Sequence, residues 1–317
     1  MKILTFDVEE WFHVLDHEST KGEKQWQNFD YRLDANIDSV LEILDRYNQK
    51  ATFFCLGWLS KNHAHIVKRL DAMGYEIATH SNLHQLVYEQ NINDFKNDLE
   101  TSIKSLEDIT GKKIRAYRAP GFSIKEENRW VFEILISQGI EIDCSIFPAK
   151  RAHGGFATFG SDQPVLINTN IGTIKEFPMS LDEVLRTKII YAGGGYFRFF
   201  PYSVIHHFMG KSDYSMSYFH PHDFDAGRPI LGDLSPLKKF KASVGLKGAL
   251  CKLENLIRDF DFIDLDEAVK KVNWDSVSMI DLPERRKTQR IENQLIFQNN
   301  YKQTVKQINK GNTIYGS

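Results

Sequence analysis

Two pairs of side chains carry the spacing of a hydrolytic metal site. In His80-Ser81-Asn82-Leu83-His84 the imidazoles are four residues apart. On a helical turn they would share one face and reach one cation. In Asp7-Val8-Glu9 the carboxylates are two apart. In a strand both then project from one face, with Val8 turned to the layer behind. Paired carboxylates at the end of an apolar strand are costly unless a cation neutralises them. Either pair alone has a plainer reading, as surface histidines or a solvated strand end. Together they supply two imidazoles, one carboxylate ligand and a spare base, the set that holds a catalytic ion with open positions for water.

Two further segments bring chemistry to strand ends. Tyr117-Arg118-Ala119-Pro120-Gly121-Phe122 puts an arginine just before a Pro-Gly turn, where Arg118 could pair with Asp7. Tyr218-Phe219-His220-Pro221-His222-Asp223 delivers His220 at the end of an apolar run. Pro221 stiffens the backbone behind it. His222 falls past the proline beside Asp223 and Asp225, where solvent is expected.

The elements that position these residues follow from periodicity. Strands are expected at 3–9, 51–57, 75–80, 115–119, 140–145, 216–220 and 261–265. Helices are expected at 36–48, 62–73, 91–110, 125–138 and 246–259. Alternation at this spacing means βα units and a mainly parallel sheet. Asp7, Glu9, His80, Arg118 and Asp143 all fall at C-terminal strand ends, the side on which barrels gather active sites. Residues 150–215, rich in glycine and aromatics, interrupt the rhythm and read as a strand-loop insert over the mouth. The catalytic domain is expected at 1–272, and 273–317 as a polar, partly helical tail.

Composition bounds the rest. Hydrophobic residues make up 42% of the 317, enough for a large core, and the net charge of -2 gives no basic excess for nucleic acid. Cys55, Cys144 and Cys251 are odd in number and widely spaced, so a disulfide framework and a cysteine metal cluster are excluded and each is expected to be a buried small hydrophobe. The start, Met1 to Asp7, has no apolar leader, and no stretch approaches ~18 uncharged apolar residues. A cytoplasmic protein is expected. Contact with a membrane surface stays open.

Taken in order, TFDVE, HSNLH, YRAPGF, DCSIFP and SYFHPHD resemble the motif series of NodB-homology polysaccharide deacetylases, the family-four carbohydrate esterases. The resemblance covers about residues 1–270. It is strongest to the branch associated with exosortase (PEP-CTERM) export loci, through GGGYFR at 193–198 and His220-Pro221. It implies a distorted (β/α) barrel and metal-dependent removal of acetate from an N-acetylated saccharide. Residue by residue, it implies Asp7 as base, His80 and His84 as metal ligands, Arg118 as the residue holding the base, and His220 as acid. Asp143 falls near the motif that orients that acid. The commonest family pattern has adjacent aspartates. Here Val8 occupies the second position, and Glu9 is the natural third ligand. Zinc is the expected ion, with cobalt, nickel or manganese compatible. Pro120, Gly121, Tyr196 and Arg198 are expected to contact substrate. A ureide-type hydrolase and a non-catalytic saccharide binder are the competing readings.

Overall fold

The apolar runs become strands buried on both faces. In this computed structural model, residues 1–15, 17–151, 153–184 and 187–282 are described. Met1–Ile280 form one compact unit. In chain order the strands are β1 (Lys2–Ile3), β2 (Thr5–Val8), β3 (Thr52–Cys55), β4 (Glu76–Thr79), β5 (Ala116–Tyr117), β6 (Ile142–Asp143), β7 (Val165–Thr169) and β8 (Gly172–Glu176). They continue with β9 (Asp182–Val184), β10 (Thr187–Ile189), β11 (Ser215–Met216) and β12 (Met279–Asp281). The main sheet runs β12-β7-β8-β6-β5-β4-β3-β2. From β2 to β8 through β6 its pairs are parallel, and β7 is antiparallel to β8.

The sheet curls into a distorted barrel. Beyond β2, Phe6 bridges Phe219, and Tyr218 bridges Gly193. β1 pairs with β11, and Met216 N donates to Ser180 Oγ across the remaining seam at 3.1 Å. Phe54, Ala78, Ala116, Ile142, Cys144 and Met216 belong to the core cluster at its centre.

Helices cover the outside where the periodicity places them. α1 (Glu23–Trp26) is one turn, and α2 (Leu33–Arg46) buries Ile37, Val40, Leu41 and Leu44. α3 (Leu59–Asn62) and α4 (Ala64–Ala72) follow β3. α5 (Ile92–Thr110) starts at Asn91, whose side chain accepts from Asn93 N and Asp94 N, and stops at the left-handed Gly111. α6 (Trp130–Ser137) separates β5 from β6. The insert differs from the expected strand-loop region. It contains two hairpins, β7–β8 and β9–β10, and then α7 (Gly194–Phe199) and α8 (Tyr202–Lys211). α9 (Pro236–Ser243), α10 (Leu246–Asp259) and α11 (Leu265–Lys271) complete the chain order.

Three expectations need correction. The strand expected at 261–265 is reduced to one bridge, Ile3 with Ile263. Cys251 is exposed on α10, while Cys55 and Cys144 are buried as expected. The region after 272 contributes the edge strand β12, and the rest of the polar, partly helical tail expected at 273–317, residues 283–317, lies outside the described residues.

Opposite the mouth, Glu76 ties the barrel to α11. Its carboxylate accepts from Thr52 Oγ1 and from Asp266 N, at 2.5 and 3.0 Å. Burial lifts its pKa from 4.5 to about 7, outweighing those bonds. The folded protein therefore keeps a proton that the unfolded chain releases. The stability this supplies is whole below about pH 4.5 and fades as pH rises toward 7. Glu76→Gln is expected to flatten that part of the pH–stability curve. Parallel urea-melt curves for parent and variant across this window would count against the assignment.

Candidate active site

Strand parity decides which side chains meet. Asp7 pairs in register with Phe54 and Phe54 with Ala78, so these share a face, and His80 lies two beyond Ala78. Thr79 is level with Tyr117, Tyr117 with Asp143, and Asp143 with Glu176. These four occupy the opposite face, and Arg118, one residue on, returns to the face of Asp7 and His80.

Glu9, His80 and His84 are buried, with one ligand atom from each lying within 4.8 Å of the others. His84 Nε2 is 2.8 Å from Glu9 Oε2. His80 Nδ1 is 2.8 Å from the carbonyl of Arg118, a bond that puts its proton on Nδ1 and leaves the Nε2 lone pair free. Burial pulls the His80 imidazole down to about 4, so the ring is neutral near pH 7. Burial opposes ionisation of Glu9, but His84 and His220 outweigh it and hold the carboxylate well below its usual range. A neutral, anchored imidazole, a second imidazole and an ionised carboxylate are a donor set that fits a divalent ion.

The two histidines do not sit on a helical turn. Residues 80–84 form a loop in which Ser81 and His84 are left-handed, at φ 71 and 54. Such conformations cost ~1–3 kcal/mol each unless surroundings impose them. Here the Asp98 carboxylate accepts from Asn82 N and Leu83 N at 2.8 and 3.1 Å, and Ser81 Oγ accepts from His84 N at 3.1 Å. Gly57 permits the close approach, because a Cβ there would lie 2.7 Å from both Asn82 Oδ1 and Ser102 Cα.

Asp7 Oδ1 accepts from Arg118 Nη1 at 2.7 Å, and Oδ2 lies 4.0 Å from both His80 Nε2 and His220 Nε2. His220 Nε2 is 3.1 Å from Glu9 Oε1. The carboxylate on its other nitrogen is Asp223, with Oδ2 2.8 Å from Nδ1. This corrects the expected role of Asp143. That residue sits on the far face, bonded to Ser145 Oγ at 2.6 Å and beside Glu176. Burial works against a charged His220, but Asp223 and then Glu9 outweigh it and lift the ring to about 9. His222 is half-buried rather than solvated. It stacks on His220 with centroids 5.1 Å apart and planes at 6°.

These groups line a cavity of about 330 Å³. Gly121 is on its wall, while Pro120 is buried and absent from it. Tyr196 and Arg198 are also absent from the wall, contrary to expectation. Tyr196 is half-exposed elsewhere, and Arg198 is buried. Arg198 donates to the carbonyls of Lys241, Ala242 and Val244, and its Nε lies 3.1 Å from Asp223 Oδ1. The insert does reach the mouth through Arg151 and His153, and the segment 228–242 joins it through Arg228, Ile230, Leu231, Leu234 and Lys238. Sequence reasoning missed both this segment and Asp223. The signal for Asp223 was its position three residues after His220, the reach of a one-turn capping box. Two other His/Asp groups could hold an ion, Asp34-His63-His65 and His220-His222-Asp223.

Residues 17–135 match the family model described as Polysaccharide deacetylase, and 144–270 match a Domain of unknown function (DUF3473). A bifunctional xylanase/deacetylase of Pseudobutyrivibrio xylanivorans is 32% identical over 112 residues, 35% of this chain and 19% of that protein. A peptidoglycan-N-acetylglucosamine deacetylase of Bacillus cereus is 28% identical over 95 residues, 30% of this chain and 34% of that protein. The chain thus spans a third or less of the length of these relatives. A putative polysaccharide deacetylase from Mycobacterium smegmatis has a similar fold, with TM-score 0.60 at 18% identity over 90% of this chain and 94% of that one.

Arg198→Ala is expected to cost ~1–3 kcal/mol of stability, because it removes one of the two cationic partners, with His220, of the buried Asp223 carboxylate. An unchanged urea midpoint would show that Arg198 is not the support of Asp223. Residues 17–135 thus match the polysaccharide deacetylase family model, and the Mycobacterium smegmatis protein shares the fold.

Proposed function

We propose that this protein hydrolyses the N-acetyl group of an amino sugar, in a polysaccharide or its precursor, and releases acetate. The observation that carries the reading is the convergence of three units on one cavity. They are the Glu9-His80-His84 donor set, the Asp7–Arg118 pair and the His220–Asp223 pair. The relatives named as deacetylases support the same chemistry. The GGGYFR and His220-Pro221 segments support an exosortase-associated, exopolysaccharide setting.

Glu9, His80 and His84 would hold one divalent ion, zinc by preference, with Co²⁺, Ni²⁺ or Mn²⁺ able to replace it. When bound it supplies Lewis acidity toward the acetamide carbonyl and acidifies water. Asp7 takes the proton of the attacking water at Oδ2, while Oδ1 is occupied by Arg118. Arg118 holds that carboxylate aimed through its Oδ1. His220 gives the proton on Nε2 to the departing sugar nitrogen. Asp223 fixes the ring through Nδ1 and favours its protonated form. Deep burial of Asp7 removes competing water from the base.

Acetate release from N-acetylated oligosaccharides, abolished by chelation and restored by Zn²⁺, tests the activity directly. No acetate from any N-acetylated saccharide, with metal bound, would reject it. His80→Ala and Glu9→Gln are expected to lose bound metal, whereas Asp7→Asn is expected to keep it and lose turnover. The reverse pattern exchanges the roles of Glu9 and Asp7. His220→Ala is expected to retain metal and lose ~10²–10⁴-fold in kcat. Loss of metal in that variant would make His220 a ligand instead of the acid.

A further inference from the structure

One rim of the cavity keeps large apolar side chains in water. Leu237 and Phe240 of α9 are 63% and 54% exposed, Phe199 at the end of α7 58%, Tyr196 50% and Ile230 38%. Helix α9 buries none of its eight residues. So short a helix is marginal by itself. This one is held from behind through its C-terminal carbonyls, by Arg198 and by Arg228, which donates to Ala242 O. The same bonds seat the end of α9 against α7. Its exposed face is therefore rigidly presented rather than frayed.

The rim is also cationic. Between Arg228 and Gly248 the chain carries Arg228, Lys238, Lys239, Lys241 and Lys247 against the single acid Asp233, although its net charge is -2. Leu237 and Phe240 are three apart and form an apolar stripe, and Lys238 and Lys241 form a cationic stripe beside it. Lys238 and Lys241 reach the cavity wall together with Ile230 and Leu231. Exposed aromatic and aliphatic side chains flanked by lysines are the pattern of an element lying in the headgroup layer of an anionic bilayer. Among the described residues no helix is long and apolar enough to cross a membrane, so attachment at the surface is the mode this pattern fits.

We propose that α9 and the adjoining end of α7 dock on an anionic lipid surface, with Leu237, Phe240 and Phe199 entering the interface and the lysines meeting lipid phosphates. The cavity mouth then opens against the membrane. A second copy of this chain is the competing occupant. A two-fold contact would set one lysine-rich rim against another, and like charges oppose it. The proposal is independent of the reaction, since lipid binding is measured without turnover.

The test is co-sedimentation of the full chain with vesicles of equimolar phosphatidylcholine and phosphatidylglycerol, compared with pure phosphatidylcholine. Binding is expected on the anionic vesicles alone and should weaken in high salt. The double variant Leu237→Ser/Phe240→Ser alters two exposed side chains, so an unchanged melting curve is expected, with binding reduced about tenfold or more. Failure of the parent to bind anionic vesicles overturns the proposal. So does equal binding of the neutral ones, or parent-like binding by the double variant. A parent that is dimeric without lipid, and that the same variant splits, assigns the rim to a second copy instead.

Discussion

A buried arginine governs the barrel. Arg118 is fully enclosed, and each of its three guanidinium nitrogens has a partner. Nη1 serves Asp7 and Thr5 Oγ1, each at 2.7 Å, Nε reaches Cys144 O at 3.3 Å, and Nη2 points at Met216 Sδ at 3.0 Å. The guanidinium lies over the Phe54 ring, 4.1 Å from its centroid. A charge at this depth persists only with a counter-charge and a full set of acceptors. Those acceptors come from β2, from the residue after β6 and from β11. Arg118 therefore fixes how distant strands approach one another, and Asp7 is held in place because the barrel is built around its partner.

That constraint separates what the sequence reveals from what it hides. The spacing of two between Asp7 and Glu9 is a local property of an extended chain, and both side chains reach the cavity as expected. Val8 is turned behind and fully buried. Arg118 beside Asp7 was legible too, because both end strands of one parallel sheet. Asp143 was not. Its position at a strand end was read correctly, but the face it occupies depends on register with Tyr117, a non-local quantity that one residue of slip inverts. The histidine pair shows the opposite case. Its partnership was legible although its backbone was misread, since a loop pinned by Asp98 delivers the same two rings as a helical turn would.

The glycine-rich insert misled for a different reason. Three consecutive glycines beside aromatics suggested a loop over the mouth. In the structure they serve close packing. A Cβ on Gly193 would lie 2.3 Å from Tyr218 Cδ1, and one on Gly194 3.3 Å from Tyr218 Cε2. The segment is thus pressed against the strand that carries His220, and Arg198 faces inward to Asp223 rather than outward to a ligand. Asp223 in turn fixes the ring of His220. The helix that replaces the expected loop is a brace for the second half of the site.

Asp7, Glu9 and Asp223 are buried carboxylates neutralised in different ways, and the difference bears on the roles proposed for them. Asp7 has a permanent cation in Arg118, and Asp223 has one in Arg198. Guanidinium groups hold their charge at every working pH, so neither carboxylate needs an ion from solution. Glu9 has imidazoles instead, His84 at one oxygen and His220 at the other. An imidazole compensates a carboxylate only while it holds a proton. It surrenders that role when its lone pair is turned to a metal. In the proposed reaction Glu9 is therefore the carboxylate that takes the exchangeable dication, while Asp7, already satisfied at one oxygen, handles protons at the other. Displacing the second acid from the position of Val8 to that of Glu9 leaves this division intact, because a spacing of two keeps both carboxylates on the face that Arg118, His80 and His220 share.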